Sequence, residues 1–213
     1  MMNLKSTLRE EPRFCKICFN QIKDNSLHSL VMKNNQLCEE CFAKFEPKFI
    51  NFKLDGIKGL AIYEYDQTIK ELLFKFKGCY DIELKDVFLD RYINYLRLKY
   101  YGFEMVPIPS YYLDDQTRGF NHVKNIFNRL KLPMLKIIKK TKKEKQANKN
   151  KKEREQVIKI LEAEGLEKVR NKKILLVDDV MTTGSSLRAA LSLIKPGKPK
   201  KIEILVMAKT VQT

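Results

Sequence analysis

Two adjacent carboxylates, Asp178 and Asp179, are followed by the hydroxyl-rich run Thr182-Thr183-Gly184-Ser185-Ser186. Acids side by side can accept hydrogen bonds from sugar hydroxyls and attract a hydrated Mg²⁺. The run after them supplies backbone N–H groups and side-chain hydroxyls of the kind that cradle a monoester phosphate, with Gly184 allowing close approach. Together these groups describe a site for a ribose 5-phosphate; the plainer alternative is a strand, a turn with Asp in it, and an ordinary helix start. A second set of reactive side chains lies near the N-terminus, where Cys15-x-x-Cys18 and Cys38-x-x-Cys41 are separated by nineteen residues. Four thiolates on two knuckles can close a tetrahedral zinc site that is structural, because no position remains open for water. Two unconnected redox pairs are the alternative. His28 lies between the knuckles, where four cysteines already saturate zinc, and the fifth cysteine, Cys79, reads as a small core or surface thiol.

The elements that must position these groups follow from periodicity. Ile174, Leu175, Leu176 and Val177 read as a short strand covered on both faces, placing the carboxylates at its carboxyl end, where ligands bind in open α/β sheets. Thr182 to Ser186 then open a helix over Leu187 to Ile194, Pro196-Gly197 form a turn, and Ile202 to Ala208 form a closing strand. Upstream, Pro47 to Leu54 read as a connector and Gly59 to Tyr63 as a strand. Asp66 caps a helix bearing Ile69, Leu72, Leu73 and Phe76 on one face and Lys70, Lys75 and Lys77 elsewhere, ended by Gly78. A second helix is expected over Ile82 to Lys99, with Val87, Phe88, Arg91, Tyr95 and Leu98 mixing a core stripe with basic edges. Gly102 to Pro109 predict a strand, Ser110 to Arg118 a polar loop, and Val123, Ile126, Phe127 and Leu130 one face of a helix. Met134 to Ile138 predict a further strand, whereas Val157 to Val169 fit a strand or a helix. Alternating strands and helices predict an α/β fold with a mainly parallel sheet. The division expected is a tail over 1–13, a four-cysteine module over 14–46 that cannot bury a core without its metal, and a main domain over 47–213.

The chain of 213 residues carries 42 basic and 26 acidic side chains, a net charge of +16 that favours polyanionic partners such as nucleic acid; AT-biased codon usage would also enrich lysine. Half of that charge is concentrated in residues 136–154, where ten Lys or Arg face only Glu144 and Glu153. A run of this kind cannot bury itself and is expected to be mobile. Lys139, Lys140, Lys142, Lys143, Lys145 and Arg154 are its candidate nucleic-acid contacts. Tyr92, Tyr95, Tyr100, Tyr101, Tyr111 and Tyr112 lie among Arg91, Arg97, Lys99 and Arg118 and offer rings on which bases could stack. No run approaches a membrane span and no cleavable signal opens the sequence, which predicts a cytoplasmic protein without membrane insertion.

Position by position, Ile174 to Ser186 resembles the phosphoribosyl pyrophosphate (PRPP) signature of type I phosphoribosyltransferases. The resemblance implies that Asp178 and Asp179 hold the ribose 2- and 3-hydroxyls and that Thr182 to Ser186 form the 5-phosphate loop. Further pieces are similar to one branch of these proteins, the ComF competence-protein family: the knuckles Cys15, Cys18, Cys38 and Cys41; Tyr63 and the Lys-bearing helix; Val106-Pro107-Ile108-Pro109; Arg118-Gly119-Phe120-Asn121; and Thr141 with Gln146 and Arg154. The chain departs from that pattern at Val157 and at Ala147-Asn148-Lys149. The family implies a type I phosphoribosyltransferase-like domain behind a zinc finger, and a role in natural transformation: handling incoming single-stranded DNA in the cytoplasm beside a helicase-like partner.

Three functional classes follow. In an active transferase using PRPP and Mg²⁺, the acid pair and Thr182 to Ser186 are the cradle, Ser110, Arg118 and Gly119 belong to the pyrophosphate loop, and residues 139–153 are placed like a lid. Thr182 stands where purine-salvage relatives usually carry an acid, which argues against that chemistry. In a binding protein, the same cradle and the lysine-rich segment track a single-stranded DNA backbone. In an adapter, the zinc module docks a helicase and the signature is vestigial.

Overall fold

An aliphatic strand without polar interruption needs apolar cover on both faces, and Ile174, Leu175, Leu176 and Val177 obtain it, each being fully buried. The computed structural model describes residues 12–22, 36–110, 112–140 and 161–211, the side chain of Arg91 excepted. In chain order the elements are helix α1 (Glu39–Ala43), strands β1 (Ile50–Leu54) and β2 (Ile57–Glu64), helices α2 (Gln67–Lys77) and α3 (Ile93–Lys99), strand β3 (Phe103–Pro107), helices α4 (Tyr112–Arg118) and α5 (His122–Phe127), strands β4 (Ile138–Lys140), β5 (Leu161–Ala163) and β6 (Lys173–Met181), helix α6 (Ser185–Ile194) and strand β7 (Lys201–Lys209).

Five strands form one sheet in the order β1-β2-β7-β6-β3, and β4 pairs with β5 in a separate antiparallel ladder. The pairs β2/β7, β7/β6 and β6/β3 are parallel, and only the edge strand β1 is antiparallel to its neighbour. The expected mainly parallel α/β architecture is therefore present. Side chains alternate across the sheet with the period of two that strands impose. Leu175, Val177, Leu205 and Met207 join Leu72, Phe76, Phe88, Leu96 and Phe127 on one face. Ile174, Leu176, Ile204 and Val206 join Leu187, Leu191 and Ile194 of α6, with Ile138 and Leu161 of the small ladder, on the other.

Several boundaries differ from expectation. The supposed connector up to Leu54 contains β1, which returns into β2 through Asp55 and Gly56; their positive φ values of 48° and 80° suit the tight hairpin turn that Asp-Gly favours. The single helix expected over 82–99 is instead a 3₁₀ turn at Ile82–Asp86, another at Asp90–Tyr92, and then α3. The cause lies in Arg129, which donates to the Asp86 carbonyl at 2.8 Å and pairs with the Asp90 carboxylate at 2.8 Å, so that a side chain takes a carbonyl a continuous helix would use. The polar loop expected at 110–118 contains α4, which buries no residue and so shows no apolar period in the sequence. Met134 makes a single parallel bridge to Met105 rather than opening a strand, and β4 starts only at Ile138. Strand β6 runs on through both carboxylates, because β7 continues beside it with Asp178 opposite Val206 and Val180 opposite Ala208. On α3, Tyr95 and Leu98 are exposed rather than core.

The cysteine-bearing segment is tied to the main sheet by charge and by a ring. Lys16 pairs with Glu83 at 2.8 Å, and Phe45 is buried in the same core as Phe76. Phe76 itself meets Phe88 at 5.3 Å and Phe120 at 5.2 Å between ring centroids, linking α2 to the chain that leads into α5. Truncating this fully buried ring, Phe76→Ala, is expected to lower unfolding free energy by about 3–5 kcal/mol in a urea titration.

Candidate functional site

Asp178 and Asp179 occupy the carboxyl-terminal end of β6, and both are buried. Charges held out of water need partners, and the two acids differ in what they receive. Asp178 Oδ1 accepts the Asp179 backbone N–H at 2.9 Å, and Asp179 Oδ1 accepts the Val180 N–H at 2.7 Å. Asp179 Oδ2 in addition meets Lys77 Nζ at 2.5 Å, from the last turn of α2, and His122 Nε2 at 3.1 Å, from the first turn of α5. Burial, and the charge of Asp179 beside it, push the Asp178 carboxyl well above the usual carboxylate range. Burial also acts to raise Asp179, but the hydrogen bond from His122 and the charge of Lys77 outweigh it and hold that carboxyl well below its ordinary value.

The histidine is oriented by an arginine. Arg118 NH1 lies 3.0 Å from His122 Nδ1, and a guanidinium can only donate, so Nδ1 accepts and Nε2 carries the hydrogen that Asp179 receives. Arg118 also donates to the Lys77 carbonyl at 3.1 Å and to Asp115 Oδ1 at 3.1 Å. Asp115 in turn accepts from Ser110 Oγ at 2.5 Å and from Asn121 Nδ2 at 2.7 Å, while Asn121 Oδ1 caps α5 by accepting the Lys124 N–H. Ser110, Arg118 and the acid pair are thus joined in one network.

Beyond β6, Thr182 and Thr183 are exposed and lead into α6 through Gly184, whose φ of 76° is left-handed and whose added Cβ would stand 3.1 Å from Leu54. Thr183 Oγ1 and Ser185 Oγ share a hydrogen bond at 2.8 Å, and Arg188 braces the turn by donating to the Thr183 carbonyl at 2.7 Å and to Asp55 at 3.2 Å. Amides at the start of a ten-residue helix, with the four hydroxyls of Thr182, Thr183, Ser185 and Ser186 about them, are groups of the kind that can receive an anion.

Cys15, Cys18, Cys38 and Cys41 have sulfur atoms all within 4.8 Å of one another and could hold a metal ion; a set of four soft thiolates suits zinc. Cys38 caps α1 by accepting the Cys41 N–H, which fixes the second knuckle. Burial raises the Cys15 thiol, but backbone N–H donors, that of Cys18 foremost, outweigh it and bring it down to about 7. An apolar cavity of about 340 Å³ lies between this segment and α2, lined by Leu37, Phe42, Phe45, Ile69 and Leu72, and contains none of the groups of the acid-pair site.

Of the candidate nucleic-acid contacts, Lys139 is exposed and pairs with Glu164 across the β4/β5 ladder, and Lys140 ends β4. Lys142, Lys143, Lys145 and Arg154, like His28 and Tyr111, lie outside the described residues. Tyr95, Tyr101 and Tyr112 are exposed, whereas Tyr100 is core. Cys79 is an exposed thiol. Sequence reasoning missed Lys77, His122 and Asp115 as members of the site. The available signals were a lysine in the last turn before Gly78 and one of only two histidines directly following Arg118-Gly119-Phe120-Asn121.

A mainly parallel sheet whose interior strand β6 carries an acid pair near its carboxyl end, followed by a hydroxyl-rich helix start, defines a phosphoribosyltransferase-type fold, here with a four-cysteine cluster near the N-terminus. Residues 116–212 match the phosphoribosyl transferase domain family. The chain is 25% identical to competence protein ComFC of Streptococcus pneumoniae across 89% of this chain and 96% of that protein. It is 28% identical to ComFC of Bacillus subtilis across 70% of this chain and 63% of that protein. A solved hypoxanthine phosphoribosyltransferase from Staphylococcus aureus aligns with 62% of this chain and 76% of its own at 12% identity and a TM-score of 0.37. The two competence proteins and the domain match support the ComF competence-protein family, with a phosphoribosyltransferase-like fold, for this chain. No helix among the described residues is long and apolar enough to cross a membrane.

Two outcomes follow from the site's chemistry. Asp179→Asn leaves Lys77 facing a neutral partner and is expected to destabilise the protein at neutral pH by about 1–3 kcal/mol, whereas Asp178→Asn removes a carboxyl whose upward shift on burial costs folding free energy at neutral pH and is expected to stabilise it. The depressed Asp179 contributes stability above the ordinary carboxylate pKa of about 3.9 and loses it as pH falls, so the Asp179→Asn deficit should shrink in urea titrations taken into the acid range. Elemental analysis of protein purified without chelator is expected to return about one zinc per chain, and Cys41→Ser to lose it.

Proposed function

We propose that this chain acts in DNA uptake during natural transformation, binding single-stranded DNA in the cytoplasm on a phosphoribosyltransferase-like scaffold. The observation that carries the reading is the phosphate-type turn, Thr182 to Ser186, at the start of α6 beside a compensated acid pair, in a chain with a net charge of +16. A backbone phosphate seats in that turn, and the exposed Tyr95, Tyr101 and Tyr112 offer ring faces to bases elsewhere along the strand. Lys139 and Lys140, with Lys142, Lys143, Lys145 and Arg154 beyond them in sequence, supply the salt-dependent attraction. Similarity to competence proteins over most of the chain supports the setting. The four-cysteine module, folded around zinc over residues 14–46, serves as the docking piece for a helicase-like competence protein, and residues 47–213 carry the nucleic acid.

A second reading keeps PRPP as ligand or substrate. The complete acid pair and loop favour it, with Ser110, Arg118 and Gly119 as the pyrophosphate loop, and Thr182 in place of an acid points away from a purine acceptor.

Fluorescence anisotropy of a labelled single-stranded oligonucleotide against salt tests both. Binding is expected at low salt, and PRPP is expected to displace the strand. Reversing Lys139, Lys140, Lys142 and Lys143 to Glu is expected to weaken affinity at least about tenfold and to lower the salt slope by roughly one for each phosphate left without its lysine. Absence of DNA binding at low salt overturns the uptake reading and leaves the transferase or the adapter.

A further inference from the structure

The acid pair carries its own counter-charge. A divalent cation such as Mg²⁺ asks for near-octahedral oxygen ligands at about 2.0–2.1 Å and is held by one or two ionised carboxylates together with ligand oxygens. Neither acid here fits that demand. Asp179 Oδ2 already meets the Lys77 ammonium at 2.5 Å and the His122 ring at 3.1 Å, and its Oδ1 accepts the Val180 N–H. Asp178 is buried, and its Oδ1 already accepts the Asp179 N–H at 2.9 Å. A metal ion arriving at the pair would have to expel Lys77 from a carboxylate only 11% exposed and take up the charge balance that the lysine now provides.

Lys77 is placed to do more than neutralise. An ammonium has three donors, and Asp179 takes one of them. A third of the lysine side chain is open to solvent, so the other two can turn to an incoming oxygen. Its backbone is fixed as well, because Arg118 grips the Lys77 carbonyl at 3.1 Å while holding His122 through Nδ1. The cation is therefore delivered by the last turn of α2 to the Asp179 carboxylate itself.

We propose that Lys77 replaces the divalent cation at this site, so that the cradle binds a pentose phosphate, as a free sugar phosphate or within a nucleic-acid strand, without Mg²⁺. The proposal rests on the reading that Thr182 to Ser186 receive the phosphate. It makes Lys77 the residue that determines which form of ligand is taken: a sugar bearing phosphate alone, in preference to a metal–diphosphate complex.

Isothermal titration with ribose 5-phosphate, in EDTA and again in excess MgCl₂, tests it on the full chain. Affinity for the wild-type protein is expected to agree within about twofold between the two conditions. Lys77→Met, which keeps the apolar stem, is expected to lose about tenfold or more in EDTA and to regain part of it with Mg²⁺, while Lys77→Arg retains metal-free binding. Mn²⁺ followed by electron paramagnetic resonance supplies a readout independent of the sugar: no tight site in the wild type, and one in Lys77→Met. Wild-type binding that requires Mg²⁺, or Lys77→Met binding unchanged in EDTA, overturns the proposal and leaves the phosphate cradle standing. Failure of ribose 5-phosphate to bind in either condition overturns both.

Discussion

Two ionisable carboxyl groups sit side by side on a strand whose neighbours are buried, and the surrounding architecture answers to that constraint. A buried carboxylate without a partner costs several kcal/mol, so Asp179 can remain charged only where cationic and N–H donors are brought to it. They come from two helices far away in sequence: the end of α2 supplies Lys77 and the start of α5 supplies His122. Both helices lie on the same face of the sheet, held by a core in which Phe76 and Phe127 pack with Leu175 and Val177 of β6. Core packing and site chemistry are thus coupled, since moving either helix would strip the carboxylate of a donor.

The same constraint explains the run Arg118-Gly119-Phe120-Asn121 residue by residue. Arg118 fixes the histidine tautomer and ties α4 to α2 through the Lys77 carbonyl. Gly119, with φ of 80°, ends α4 in a left-handed conformation that a side chain would resist. Phe120 lies against Phe76 and beneath the Arg118 guanidinium, anchoring the turn to the core. Asn121 caps α5 and reaches Ser110 and Asp115, so the helix that carries His122 starts at a defined point. What reads in sequence as a family marker is, physically, a bracket that aims one imidazole nitrogen at one carboxylate oxygen.

Legibility in the sequence followed the range of the interaction. The acid pair, the hydroxyl-rich turn, the cysteine knuckles and the Asp66 cap were all visible, because each is encoded within a few neighbouring residues. Lys77 was visible only as one lysine among several on its helix: its partner is 102 residues away, and no periodicity links them. Helix α4 escaped notice because an exposed helix has no apolar stripe, and the interruption in 82–99 escaped because it is imposed by Arg129 from outside the segment. Strand β1 was a different kind of miss, since the Asp55-Gly56 turn that creates it is a local signal.

The electrostatic balance of the pair bears on how a phosphate could approach at all. Two full negative charges at the end of β6 would repel an anion seated in the adjoining turn, and at an effective dielectric near 20 a unit charge about 6–8 Å away still contributes roughly 2–3 kcal/mol. Lys77 offsets one of those charges, and burial beside Asp179 raises the Asp178 carboxyl, which works against the other. The positive end of α6, with Arg188 bracing its first turn, would then act on a phosphate with less opposition from the acids next door. An acid pair that would be hostile to phosphate on formal charge is thus partly offset by its own lysine. Hydroxyls of the ligand can still be read by Asp178, either donating or accepting, while the attraction is supplied by the turn and by the lysine.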